Sequence, residues 1–331
     1  TGSGFTGPSK DGTETIMVFD MKANEIKKIE STANGMAYFM NSQMSLSSDE
    51  VENADLIALP KIGVIDVKPI ATGKQGGMFS MKGGKVGTEI SMLPMGTSTA
   101  KSWKYSSPSS LIEIPTYLGS NKDISVFSIM NKEDIMSRNV TFKTLCVDNN
   151  SGKIMYNKEF TDDKNVLYIN NFIYLPELNQ NILSGTLIQK NRNTKRAATD
   201  GMFLANVDNK GTILNKQYIL WDDFQKQFNL KNVEGKPLDI SSIYIHKIVS
   251  TNDGKIFVIG EAHDGSVIRD LIIIEVDKSL KPVNVNVMYK DNHSGYGIGA
   301  GQVGSAMLPI VLKYWGSFDY AYTQEREDKS S

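Results

Sequence analysis

Three segments of this 331-residue chain repeat one short pattern, and that repetition constrains the fold more than any single motif. Leu145-Cys146-Val147-Asp148 is followed by Asn149-Asn150-Ser151-Gly152 and then by Lys153-Ile154-Met155-Tyr156. Ala205-Asn206-Val207-Asp208 is followed by Asn209-Lys210-Gly211 and Thr212-Ile213-Leu214. Ile274-Glu275-Val276-Asp277 is followed by Lys278-Ser279-Leu280-Lys281 and Pro282-Val283-Asn284-Val285. A fourth copy runs from Ile16 to Asp20 and resumes at Glu25, and a weaker fifth is Met78–Met81 with Lys82-Gly83-Gly84-Lys85 and Val86. Each copy reads as a strand, a tight turn and a second strand. The aspartate side chain accepts hydrogen bonds from turn amides, and Gly or Asn supplies the backbone angles of a hairpin. The markers at 20, 80, 148, 208 and 277 lie 60, 68, 60 and 69 residues apart.

Two further apolar runs precede each of the later hairpins. They are Leu111–Ile114 and Ile124–Ile129, then Phe172–Leu175 and Ile182–Ile188, then Ile243–Val249 and Ile256–Ile259. Asn252-Asp253-Gly254-Lys255 is a turn signal between the last two. Four antiparallel strands per 60–70 residues, repeated, is the pattern of a β-propeller blade. The expected fold is therefore all-β. It is a single β-propeller domain over 1–331 with five detectable repeats, their hairpins ending near 30, 91, 160, 219 and 289. Met307–Leu312 and Phe318–Tyr322 are expected as strands, so that both termini share the last blade. A part of a larger propeller and a β-sandwich pair are the alternatives. Ser31–Lys104 yields no secure strands. One helix is expected at Asp222–Leu230, where Phe224 and Phe228 lie four apart on one face.

Composition removes several classes of function. Lys and Arg number 36 against 37 Asp and Glu, a net charge of -1, which argues against binding driven by phosphate neutralisation. No stretch approaches 18 consecutive apolar residues, so no membrane-spanning helix is expected. One cysteine, Cys146, allows no internal disulfide, and three histidines leave little room for a histidine-based zinc centre. No metal or cofactor is expected. The chain opens Thr1-Gly2-Ser3-Gly4 without a signal peptide, and an exported precursor with a lipid anchor on a preceding segment is compatible with that.

Motifs that carry chemistry are sparse. Gly295-Tyr296-Gly297-Ile298-Gly299-Ala300-Gly301 lacks the leading strand and following helix of a dinucleotide loop and reads as a connecting loop. The marker aspartates read as turn caps, since no calcium loop surrounds them. A glycosidase needs paired carboxylates. Asp222, Asp223, Glu261, Asp264 and Asp270 are available, and Glu261, just after the strand Ile256–Gly260, is the one catalytic candidate. Cys146 reads as a buried strand residue. His246 reads as a hydrogen-bonded strand residue, and His263 and His293 as loop residues. Arg192, Lys195 and Arg196 form a basic loop between the second and third strands of a blade, matched in the next repeat by a loop over Ala262–Asp270. Trp103, Tyr105, Trp221, Tyr296 and Trp315 are aromatic residues near loops. The ligand-binding candidates are Arg192, Lys195, Arg196, Trp221, His263, Arg269, His293 and Tyr296.

Thr199-Asp200-Gly201-Met202-Phe203, Val207-Asp208-Asn209-Lys210-Gly211 and Gly316-Ser317-Phe318-Asp319-Tyr320 resemble segments of uncharacterised secreted or cell-envelope β-propeller proteins of Bacteroidota. The resemblance covers about the second half of the chain and carries no catalytic motif. It implies an exported propeller that is secreted, periplasmic or on the cell surface. The function expected is a non-enzymatic binding or interaction module of the cell envelope, recognising a glycan or an envelope protein through loops at one end of the ring. A carbohydrate-active enzyme with axial carboxylates, and a structural subunit of an envelope assembly, are the alternatives.

Overall fold

The computed structural model describes residues 12–19, 25–33, 56–59, 63–72, 85–94, 101–107, 112–132, 140–190, 199–238, 240–251, 253–294, 308–314 and 316–320. Among them the chain is all-β apart from two short helices, and its sheets are built from antiparallel strands of neighbouring sequence. It divides into two compact units. The first holds Thr1–Tyr117, Ile129–Thr141 and Asp148–Lys153, and the second holds Leu118–Ser128, Phe142–Val147 and Ile154–Ser331.

In the first unit, β1 (Gly12–Phe19) and β2 (Glu25–Ala33) form a two-stranded hairpin. Next come β3 (Leu56–Leu59), β4 (Gly63–Thr72), β5 (Lys85–Pro94) and β6 (Trp103–Ser106), each antiparallel to the one before. Ile65 and Val67 of β4 lie opposite Met92 and Ile90 of β5, and all four are buried. That period of two places one apolar face inward. A single parallel pairing, Val86 with Ile112, joins β5 to β7 (Ile112–Ser120). Strands β7, β8 (Ile124–Lys132), β9 (Val140–Asp148) and β10 (Ile154–Lys158), whose residues are divided between the two units, neighbour one another in sequence order.

The second unit contains two complete four-stranded meanders. The earlier is β11 (Asn165–Leu175), β12 (Gln180–Gln189), β13 (Gly201–Val207) and β14 (Ile213–Leu220). Helix α1 (Trp221–Phe228) follows, then β15 (Ser242–Ser250), β16 (Ile256–Asp264), β17 (Val267–Val276) and β18 (Pro282–Met288), with the short β19 (His293–Ser294) on β17. Alternation along the strands feeds two cores. Ile182, Met202 and Leu204 face Ile245, Val258, Ile272 and Ile274 of the later sheet, together with Trp221 and Phe224 of α1. The intervening residues Leu183, Leu187, Phe203 and Ala205 pack with Ile124, Val126, Cys146 and Phe172. Strands β12 and β13 are thus covered on both faces, which is why they read as continuous apolar runs.

The marker aspartates end the third strands β9, β13 and β17. Asp148 Oδ1 accepts the amides of Asn150 and Ser151, Asp208 Oδ1 those of Lys210 and Thr212, and Asp277 Oδ1 those of Ser279 and Lys281. The fourth strand of each meander touches the turn of the next one. Trp103 of β6 packs on Gly152 (φ +69) and donates through its indole nitrogen to Asn149 O at 3.0 Å. Tyr156 of β10 packs on Gly211 (φ +75), and Lys158 donates to Gly211 O at 2.6 Å. Asn215 of β14 donates to Ser279 O at 2.8 Å. A fourth-strand residue thus meets a later Asp turn three times, once within the first large sheet and twice between sheets.

One expectation is corrected. Residues Leu308–Tyr314, expected within a strand, form helix α2, and Phe318–Tyr320 carry no strand. Pro309 is tolerated in a first helical turn, where its missing N–H has no intrahelical partner to lose. Leu308 and Leu312, four apart, bury one face of the helix. Gly316 (φ +62) closes it, with Gly316 N–H bonded to Lys313 O and Ser317 N–H to Leu312 O. Among the described residues β1 and β2 pair only with each other. Most of the weak copy at 78–86, its turn included, lies outside the described residues, and the strands flanking it, β4 and β5, are the second and third of their meander.

Candidate functional site

The site is built on β15, β16 and the chain after α2. Strand β15 slips register between Ile245 and Lys247, so His246 is an extra residue, a bulge, opposite β16. Its side chain is fully enclosed and points at Glu261. The imidazole Nε2 lies 2.9 Å from Glu261 Oε2, at ion-pair distance but off the straight line of a hydrogen bond, and Nδ1 has no hydrogen-bond partner. Glu261 itself is only 1% exposed.

Three donors and an imidazole surround the two Glu261 oxygens. The Asp319 amide donates to Oε1 at 3.2 Å and the Tyr320 amide to Oε2 at 3.1 Å. Lys290 Nζ also contacts Oε1 and reaches on to Asp319 Oδ2. His246 completes the set. Burial alone raises the pKa of the Glu261 carboxyl, but His246, Lys290 and the Tyr320 amide outweigh it and hold the pKa at about 2. The group is a permanent carboxylate at neutral pH.

Residues Ser317–Tyr320 lie over this carboxylate. The Phe318 ring stacks on Tyr244 (5.0 Å, 15°) and meets the rings of His246 and His263 edge-on at 5.0 and 6.0 Å. Tyr320 stacks on His246 at 4.7 Å and 21°. His293 Nε2 donates to Ser317 O at 3.0 Å, and its Nδ1 lies 3.6 Å from Asp319. His263 Nδ1 lies 3.2 Å from Gly265 O, a group that only accepts, so the proton sits on Nδ1 and Nε2 is bare. That Nε2 is buried without a hydrogen-bond partner. Burial pushes the pKa of His263 down to about 4. Burial also lowers that of His246, helped by Lys313 and Lys290 and opposed by Glu261. All three histidines of the chain meet this one segment.

The residues singled out from sequence fall as follows. Glu261, His263, Arg269 and His293 come together on β16, β17 and β19 around the Gly265 turn. The loop expected over Ala262–Asp270 is instead two strands joined by Gly265-Ser266, because β-branched Val267 and Ile268 continue the ladder. His263 is accordingly a strand residue, and His293 pairs in β19. Arg269 pairs with Asp264 at 3.3 Å. Trp221 is buried at the start of α1 and donates to Thr199 Oγ1 at 2.9 Å. Arg192, Lys195, Arg196 and Tyr296 lie outside the described residues. Lys290, Asp319 and Tyr320 escaped the sequence reading because their tie to Glu261 spans 29 to 59 positions. No group of three or more metal-ligating side chains occurs among the described residues.

A chemical consequence follows from the Glu261 geometry. A carboxylate offers about four lone-pair sites, and His246, Lys290 and two amides face them here. A general acid needs a raised pKa and an open side toward substrate, and Glu261 has neither.

The sequence profile of the family of unknown function DUF6770 matches residues 10–268, and the chain belongs to that family. No curated protein matches it. Among solved structures, a protein of unknown function from Bacteroides caccae is 11% identical, with 60% of this chain and 68% of that one covered at a TM-score of 0.28. A GH43_1 enzyme from Xanthomonas citri is 9% identical over 75% and 79% of the two chains, TM-score 0.34. Drosophila Semaphorin 1a, extracellular domains 1–2, is 8% identical over 88% and 80%, TM-score 0.26.

Proposed function

We propose that this member of the DUF6770 family is a non-enzymatic binding or interaction module of the cell envelope, with a glycan or an envelope protein as its partner. The four-stranded meanders are read as propeller blades. The support is the contact of a fourth strand with the Asp turn of the following sheet, from Tyr156 and Lys158 to Gly211 and from Asn215 to Ser279, because radial packing repeats one inter-sheet contact. One observation carries the functional reading: Glu261 is fully engaged and held ionised by the protein's own donors. It fastens the chain, a role that sets it apart from the raised-pKa, open acid of a hydrolase. Recognition then falls to groups at the β16–β17 end, where Arg269 and His293 are part-exposed, and to Arg192, Lys195 and Arg196 in the segment joining β12 to β13.

A glycan array run beside a glycoside-hydrolysis screen tests this. Binding without turnover is the expected result, and hydrolysis by the native chain overturns the reading. Replacing Arg192, Lys195, Arg196 and Arg269 by Ser is expected to weaken binding about 10-fold or more with no fall in melting temperature. A melting temperature that drops in step would make those residues structural.

A further inference from the structure

The chain after α2 rests in a seat lined by histidines. We propose that Ser317–Tyr320 is an acid-released latch, held closed while His246 and His263 are neutral and freed when they take up protons.

The geometry sets this out. Phe318 lies against both histidines, and Tyr320 lies flat on one of them. Each imidazole has a buried nitrogen with no hydrogen-bond partner, Nδ1 of His246 and Nε2 of His263. A proton added at either atom creates a buried cation with no partner at that atom, which is costly. The groups facing His246 are Glu261 from β16, Lys290 after β18, Lys313 from α2, Tyr244 on its own strand and Tyr320 from the latch. Its one carboxylate is already matched by Lys290. His263 faces His246 from β15, Asp264 on its own strand and Phe318 from the latch. Asp264 is itself paired with Arg269. His293 holds the same segment through Ser317 O. Opening the latch returns the rings to water, where imidazole titrates near 6.5.

The sign follows from linkage. Both histidines have pKa values lowered in the closed form, so the open form binds more protons below about pH 6.5. Closure is stable above that pH and weakens as the pH falls toward 4, the value to which burial brings His263. With a pKa of about 4 closed and about 6.5 open, His263 alone shifts the closed-to-open ratio about 20-fold between neutrality and about pH 5. Glu261 does not take part, because it stays ionised throughout that window.

Amide hydrogen exchange on the full chain is the test. Protection factors of the Asp319 and Tyr320 amides are expected to fall about 10-fold or more from about pH 7.5 to about pH 5. Those of Leu183 and Phe203, deep in β12 and β13, should hold within about twofold. In His263→Phe, which keeps a ring of similar bulk, the acid response should shrink. Unchanged latch protection overturns the proposal, and so does a loss shared equally by the β12 and β13 amides, which is global unfolding. Should the variant not fold, imidazole carbon shifts of the native chain decide. A His263 titration well below pH 5.5 supports the latch, and one at 6.5 or above overturns it.

Discussion

The two complete sheets of the second unit share a skeleton and differ in what they enclose. In β11, Tyr168 and Ile169 precede a bulge at Asn170, and in β15, Tyr244 and Ile245 precede a bulge at His246. Opposite them stand Gly185-Thr186 in β12 and Gly260-Glu261 in β16. In the earlier sheet Asn170 donates to the Thr186 hydroxyl at 3.2 Å, a neutral pair. In the later sheet the same two positions hold an imidazole and a carboxylate. A buried carboxylate needs more donors than one bulge supplies. Lys290 and the Asp319 and Tyr320 amides bring them, and all three come from chain that follows the fourth strand. The repeat therefore sets the place of the pair, and the extra chain decides whether it can be charged.

Breaking each pair in turn tests this contrast most strongly. Glu261→Gln removes the charge that Lys290 is paired with, at an expected cost of about 3–5 kcal/mol. Thr186→Val at the matching place should cost about 1 kcal/mol, the net value of a neutral hydrogen bond. Urea unfolding at neutral pH measures both, and equal costs would mean that the charged network adds nothing to the shared skeleton. The glycines beside them come next in size. A Cβ at Gly185 would stand 1.9 Å from Tyr168 O, and one at Gly260 would stand 2.6 Å from Tyr244 O. Both clashes are with backbone, which yields little. Gly185→Ala should destabilise by about 3 kcal/mol and Gly260→Ala by about 2. The reverse order would show that the earlier bulge adapts more readily than the later one.

Much of the framework was legible from sequence because it rests on local chemistry. The Asp-turn hairpins at 148, 208 and 277 need only a carboxylate next to amides two to four residues on. Helix α1 needs only its own apolar spacing, and it spans Trp221–Phe228 where Asp222–Leu230 was expected. The end of the chain was misread because Leu308–Leu312 is apolar enough for either element, and the deciding signals, Pro309 and Gly316, sit at its edges. The site was half legible. Glu261 stood out as an acid beside a strand, yet its burial depends on residues brought from after β18 and α2, which no local pattern announces. A signal did exist in the repeat itself. Aligning Tyr168-Ile169-Asn170 with Tyr244-Ile245-His246, and Gly185-Thr186 with Gly260-Glu261, puts a histidine and a glutamate in a place where a neighbouring sheet has a neutral pair.

The smallest expected effects lie at the opposite ends of these sheets, where the two should behave alike. Asp208 and Asp277 cap matching turns, each through two backbone amides. Partial desolvation raises the Asp208 carboxyl pKa, but the Thr212 and Lys210 amides more than reverse it. The Ser279 hydroxyl and the Lys281 amide lower that of Asp277. Both side chains reach solvent, so Asp208→Ala and Asp277→Ala should each cost about 1 kcal/mol, and the two should agree within about 0.5. A carboxyl lowered in the folded state contributes stability above its ordinary pKa of about 3.9 and loses it as the pH falls. The gap between native and variant should therefore narrow from neutrality toward about pH 3. Unequal costs at neutral pH would show that the turns, like the bulges, have diverged between the sheets. Equal costs would confine the divergence to the end that carries Glu261.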